Sequence, residues 1–93
     1  MRVAVLHVEI HIPYAQSLKD KRMVLRRIKD RLQKFNVAVA ELENQDLWQR
    51  ASLGVVAISN TTVHVEQELA AAADEIERLE PGLISRSEVE YLT

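Results

Sequence analysis

Apolar residues recur at two different periods along this chain, and the switches between them mark out six elements. Over Arg2–Ile12 the period is two. Ala4, Leu6, Val8, Ile10 and Ile12 fall on one side, and Val3, Val5, His7, Glu9 and His11 on the other. This is the pattern of a half-buried strand, and Pro13 ends it because proline cannot continue a ladder. From Ser17 to Lys34 the spacing changes to that of a helix. Leu18, Val24, Leu25, Ile28, Leu32 and Phe35 share one arc at about 100° per residue. Ser17 stands where an N-cap belongs, Asp20 places a carboxylate in the first turn, and Asn36 is the expected stop.

Alternation returns at Asn36–Glu43, with Val37, Val39, Glu41 and Glu43 opposite Ala38, Ala40 and Leu42. Asn44–Trp48 reads as a connection. Gln49–Asn60 is a third strand, apolar on both faces, which predicts a central position. Gly54 inside it marks a bulge or a close backbone approach. Asn60, Thr61 and Thr62 are all good caps for a second helix reaching about Glu80. Its buried stripe is Val65, Leu69, Ala72, Ile76 and Leu79, and Pro81-Gly82 ends it. Leu83–Leu92 is polar enough for an edge strand.

The order β-α-β-β-α-β, with no linker or repeat, predicts one ferredoxin-like domain over residues 1–93. It is an α+β fold: a four-stranded antiparallel sheet, order 4-1-3-2, with two helices on one face. The other sheet face is left open, and Val3, Val5 and one side of the third strand would meet water there. A homodimer through that face or an edge is therefore expected, and a 93-residue chain gains from a second subunit.

Charge changes the picture more than composition does. Hydrophobic residues make up 47% and charged residues 28%, ordinary for a globular protein. The net charge is -2, but it is unevenly spread. Ser17–Lys34 carries eight Lys/Arg against two Asp, or +6. The second helix carries six Asp/Glu against Arg78, or -5. Lys19, Arg22, Arg26 and Lys29 form one i, i+3, i+4 row beside the apolar arc. Lys21 falls inside that arc, and its stem is expected to lie on the core while its head reaches water. Phosphates of a nucleic acid recur about 6–7 Å apart, so the row suits a backbone; the alternatives are a solvated face or a face meeting an acidic helix of another subunit.

Other candidate chemistry is thin. There are no cysteines, which excludes disulfides, thiolate metal sites and a cysteine nucleophile. His7, Glu9 and His11 share a strand face, but alternate residues sit about 6.6 Å apart. Three such groups cannot hold one ion alone, and Glu41 or Glu43 would have to complete a site with two of them. Trp48 could stack on a base, but capping the core or a subunit contact is its commoner fate. Aromatics are only 4% of the chain, so RNA contacts would rest on phosphate and shape. The glycines form no phosphate-cradling loop, no serine sits on a nucleophile elbow, and the acidic residues are not paired. No enzyme, cofactor or metal site is read. No secretory signal or stretch of about 20 apolar residues is present, so a cytoplasmic protein without a membrane role is expected.

Two stretches carry a family resemblance. HIPYAQSLKDKRMVLRRIKDRL (His11–Leu32) and FNVAVAELENQDLWQRASLGVVAISN (Phe35–Asn60) resemble the small bacterial YlxP-like family of unknown function. The combination of SLKDKR, FNV and DLWQRA carries the likeness; Tyr14 and Ala15 depart from it, standing where members more often have a Gly-containing turn. The resemblance implies a ferredoxin-like fold and, from the translation-related genes that neighbour the family, a ribosome-associated role. It brings no catalytic residues.

The reading is therefore a non-enzymatic binding protein, RNA- or ribosome-associated, contacting its partner through Lys19, Lys21, Arg22, Arg26 and Lys29. Arg50 and Trp48 form a second patch. The alternative is a self-associating regulatory or protein-interaction module with no nucleic-acid role.

Overall fold

β1 (Arg2–His11) and β3 (Arg50–Ser59) are the interior strands of a four-stranded antiparallel sheet. The computed structural model describes residues Met1–Thr93. The remaining elements are α1 (Leu18–Leu32), β2 (Val37–Glu43), α2 (Thr62–Leu79) and β4 (Ile84–Tyr91). Strand order is β2-β3-β1-β4, which is 4-1-3-2 read from the other edge. The two-sided apolar strand lies inside the sheet, and the polar C-terminal strand lies at its edge, as the patterning predicts.

Period-two alternation sorts the sheet into two faces. Leu6, Val8 and Ile10 of β1 and Leu53 and Val55 of β3 are buried beneath the helices. Val24, Leu25, Ile28 and Leu32 from α1 and Val65, Leu69, Ala72 and Ile76 from α2 close over them. α1 packs over β2, and α2 over β3 and β1. Both helix starts are held by the expected hydroxyls. Ser17 Oγ accepts from the Asp20 N–H at 3.1 Å, and Thr61 Oγ1 from the His64 N–H at 3.2 Å. Asp20 in turn accepts from the Gln16 N–H at 2.9 Å. α1 ends at Leu32 with Gln33 as its cap, a turn before Asn36. Asn36 instead spends its side-chain amide on the Ile58 carbonyl at 3.3 Å. At the end of α2, Gly82 adopts φ +79, a left-handed conformation that side chains disfavour.

Lys21 departs from expectation. Its head does not reach water: the residue is 1% exposed. The ammonium donates to the carbonyls of Asn44 at 2.7 Å, Arg50 at 3.2 Å and Gln45 at 3.3 Å. Three donors thereby meet three acceptors, which is all an ammonium has. Glu41 Oε2 lies 3.0 Å away and supplies the countercharge. That oxygen has no hydrogen bond of its own, since every N–H of the ammonium is already given to a carbonyl. The pair stands as an ion pair by distance, buried beneath the β2–β3 loop. Asn44 adopts φ +61, which asparagine tolerates and which turns its carbonyl onto the lysine's position.

Removing one member of a buried ion pair strands the other, which costs about 3–5 kcal/mol. Lys21→Met keeps the volume and removes the charge, so urea denaturation should show a loss of that order. A loss under about 1 kcal/mol would mean the clamp contributes little. Ser17→Ala removes only a cap, and a loss of about 1 kcal/mol is expected from the same measurement.

Candidate nucleic-acid interface

The basic helix is divided by its own periodicity. At about 100° per residue, Arg27 and Arg31 fall on one flank of the buried stripe and Arg22, Arg26 and Lys29 on the other. The first flank faces α2. Arg27 pairs with Glu80, and Arg31 Nη1 lies 3.8 Å from Glu75 Oε1. Arg78 also pairs with Glu75, and its hydrogen bond, foremost among the causes, holds the Glu75 carboxyl below the usual glutamate range. Tyr14 donates its hydroxyl to Glu80 Oε2 at 3.1 Å. Its partial burial, and then the Glu80 charge, push the phenol's pKa upward. The acidic helix thus consumes two arginines of α1 within the same chain.

The second flank is different. Lys19, Arg22 and Arg26 are exposed and Lys29 is half-buried. None of the four has an acidic group within ion-pairing distance. Lys29 borders β2, lining a shallow depression with Leu32, Gln33 and Val37–Val39. From Lys19 to Lys29 the row runs about 15 Å along the helix. Lys21 does not belong to it. Its burial removes it from any phosphate and makes it a structural residue.

Trp48 is 53% exposed and Leu47 44%, so of the two commoner fates weighed from the sequence the tryptophan does not take the first, capping the core. Both sit on the loop whose carbonyls Lys21 grips. The next residue, Gln49, donates its side-chain amide to the carbonyls of Pro13 at 3.1 Å and Ala15 at 3.2 Å. The loop is therefore tied to the start of α1 from two sides while its apolar tip faces solvent. Arg50 projects to the other sheet face. It borders a depression with Glu9, His11 and Arg86, so Arg50 and the α1 row form no single patch. The loop with Trp48 lies at the end of the sheet between them.

On the strand face, His7 and Glu9 have partners other than those expected. β3 lies between β1 and β2, which sets Glu43 two strands from β1, and Glu41 is paired with the buried Lys21 instead. His7 Nε2 instead lies 3.0 Å from Glu90 Oε1, and Glu9 accepts from Ser52 Oγ at 2.5 Å. No three His, Asp or Glu side chains converge closely enough to hold a metal ion. The sequence pattern did not single out Glu88 and Glu90 because their relation to His7 depends on strand order. No helix is long and apolar enough to cross a membrane.

Comparisons agree with this architecture. The chain is 54% identical over 56 residues to the uncharacterized protein YlxP of Bacillus subtilis (strain 168), over 59% of this chain and 61% of that protein. The alignment thus spans less than two thirds of the relative. Two solved structures share the fold at low identity. One is the de novo designed protein Foldit4, at TM-score 0.58 and 16% identity, covering 98% of this chain and 97% of that one. The other is the de novo designed protein LFR1 1 with ferredoxin fold, at TM-score 0.58 and 12% identity, covering 98% and 83%. A family model described as protein of unknown function (DUF503) matches residues 3–89. The fold is ferredoxin-like, and the chain belongs to the DUF503 family, with YlxP among its relatives.

Proposed function

We propose that this is a non-enzymatic, cytoplasmic RNA-binding protein, ribosome-associated, that docks through the outer flank of α1. One observation carries the reading: Lys19, Arg22, Arg26 and Lys29 lie in a row with no acidic partner, although the acidic α2 is the neighbouring helix. A chain of net charge -2 that keeps four cations unpaired on one side has a strongly directional field. That field attracts a polyanion to the α1 side and repels it from the α2 side. The braced loop adds an exposed indole at one end of the row, and stacking on an unpaired base is the chemistry such a ring offers.

The magnitude is modest. Four phosphate contacts on a single strand give a slope of log K against log salt of about -3, so a fourfold rise in salt weakens binding roughly 50-fold. Binding of ribosomal RNA at two salt concentrations, followed by fluorescence polarisation, tests this. Arg22→Gln, Arg26→Gln and Lys29→Gln should each weaken binding and reduce the slope by about 0.7. Arg78→Gln, on α2, should leave it unchanged. Trp48→Ala should weaken binding by about 1–3 kcal/mol if the ring stacks, with the fold intact because the side chain is exposed. Affinity and slope indifferent to the three α1 changes would overturn the reading.

A further inference from the structure

The loop that Lys21 and Gln49 hold in place carries two charged groups besides its tryptophan. Asp46, Leu47, Trp48, Gln49 and Arg50 line one depression at the end of the sheet, of about 380 Å³. That is low in the range of small-ligand sites and ample for one nucleobase. Asp46 and Arg50 are exposed, and neither has an oppositely charged side chain within ion-pairing distance. An unpaired carboxylate, an unpaired guanidinium and a half-exposed indole therefore border the same space. The backbone that presents them is fixed before any ligand arrives. Lys21 holds the carbonyls of Asn44, Gln45 and Arg50, Gln49 holds those of Pro13 and Ala15, and the Leu47 N–H closes a turn onto the Asn44 carbonyl at 3.1 Å. Such bracing lowers the ordering cost of binding.

Asp46 is the group out of place. Phosphates on the α1 row approach from the side where the start of that helix is tied to this loop, and Arg50 stands on the sheet side. A carboxylate between these cations opposes every phosphate that passes. It gains only from a neutral part of a nucleotide that donates hydrogen bonds, because an ionised carboxylate is acceptor-only. The base edges differ in what they donate. Adenine and cytosine each present one amino group beside a ring acceptor, and uracil presents one N–H between two carbonyls. Guanine alone presents two adjacent donors, N1–H and the 2-amino group, which match the two oxygens of a carboxylate. The open sheet face offers a base much less. Its β2–β3 half is aliphatic, with Val3 beside Ile58 and Val56 beside Ala38, and its β4 half sets Glu88 and Glu90 beside His7 and Val5.

We infer that this depression takes one unpaired guanine of the bound RNA, with its ring stacked on Trp48 and its N1–H and 2-amino group donating to Asp46. Arg50 meets the adjoining phosphate. The inference rests on the RNA-binding reading and adds a sequence preference to it. The α1 row supplies affinity that is blind to sequence, and the loop supplies the choice of base. Asp46 gives the idea its distinctive sign. Towards guanine its charge strengthens two hydrogen bonds, and towards any other base it is only a like charge among phosphates.

Fluorescence polarisation of the full chain with short single-stranded oligouridylates tests the inference. Each oligomer carries guanosine, inosine, adenosine, cytidine or uridine at its centre. The guanosine oligomer should bind about tenfold tighter than those with adenosine, cytidine or uridine. Inosine, which keeps N1–H and lacks the 2-amino group, should lose most of that advantage. Asp46→Asn keeps the shape of the side chain and removes its charge. It should abolish the guanosine preference and leave the all-uridine oligomer bound as well as before or slightly better, because a like charge is gone. A residue that merely shaped the loop would weaken every oligomer alike. Unchanged far-UV circular dichroism would show that the variant still folds. Equal affinity for all five oligomers, with the salt slope still answering to the α1 substitutions, would overturn the inference and leave the RNA-binding reading standing. A guanosine preference that survives Asp46→Asn would overturn the assignment to this depression. Binding of none of the oligomers would overturn both readings together.

Discussion

The arrangement depends on one buried ammonium. Lys21 sits in the second turn of α1, at a position whose helical phase points into the molecule. A bare charge there would be prohibitively costly, and it persists only because three carbonyls and a carboxylate surround it. Two of those carbonyls belong to the β2–β3 connection and the third to Arg50 at the start of β3; the connection otherwise packs little of its own surface, since Gln45 through Gln49 are exposed. The lysine fixes where that loop goes, and so where Trp48 is displayed. Gln49 repeats the device from the loop's side, gripping the backbone just before α1. The SLKDKR and DLWQRA stretches, far apart in the chain, are thus two halves of one joint. Lys21 of the first donates to the Arg50 carbonyl of the second, and Gln49 of the second donates to the backbone just before the first.

Electrostatics divides the rest of the molecule. α1 and α2 have opposite charge and lie side by side, and a uniform pairing would neutralise both. Helical periodicity prevents this. Only the flank of α1 turned to α2 can reach Glu75 and Glu80, so Arg27 and Arg31 are consumed and the opposite flank is left unpaired. Ion pairs of this exposure contribute little to stability. Their larger consequence is positional, because they leave unpaired positive charge concentrated on the β2 side of the helix layer.

The architecture was legible in the sequence because it rests on local periodicity. Alternation, helical spacing and the hydroxyls at Ser17 and Thr61 are signals within a few residues of where they act. The candidate site was legible only in part. Lys21 gave a mixed signal: its phase placed it correctly in the buried arc, but a flexible stem makes escape to water the usual outcome. What reversed that outcome was a set of backbone carbonyls 23 to 29 residues away, and carbonyls leave no trace in side-chain patterning. Glu41 was the one available hint, a carboxylate on the inward-facing side of β2 together with Val37 and Val39. A buried acid on a strand asks for a buried base, and Lys21 was the unmatched candidate. Trp48 and Arg50, neighbours in the sequence, line one shallow depression with Asp46, Leu47 and Gln49, while β3 alternation turns Arg50 away from the α1 row.

The two uncovered parts of the molecule have opposite chemical character, and this constrains how it can be used. The outer flank of α1 is cationic and lies on the helix layer. The aliphatic half of the sheet lies on the opposite layer and is uncharged. A polyanion gains nothing from the second surface, where the neighbouring glutamates oppose it. An apolar partner gains nothing from the first, where it would have to desolvate four cations. The two surfaces are separated by the thickness of one sheet and one helix layer. The constraint that places them there is the fold itself: two helices cover one side of four strands and leave the far side uncovered within the chain.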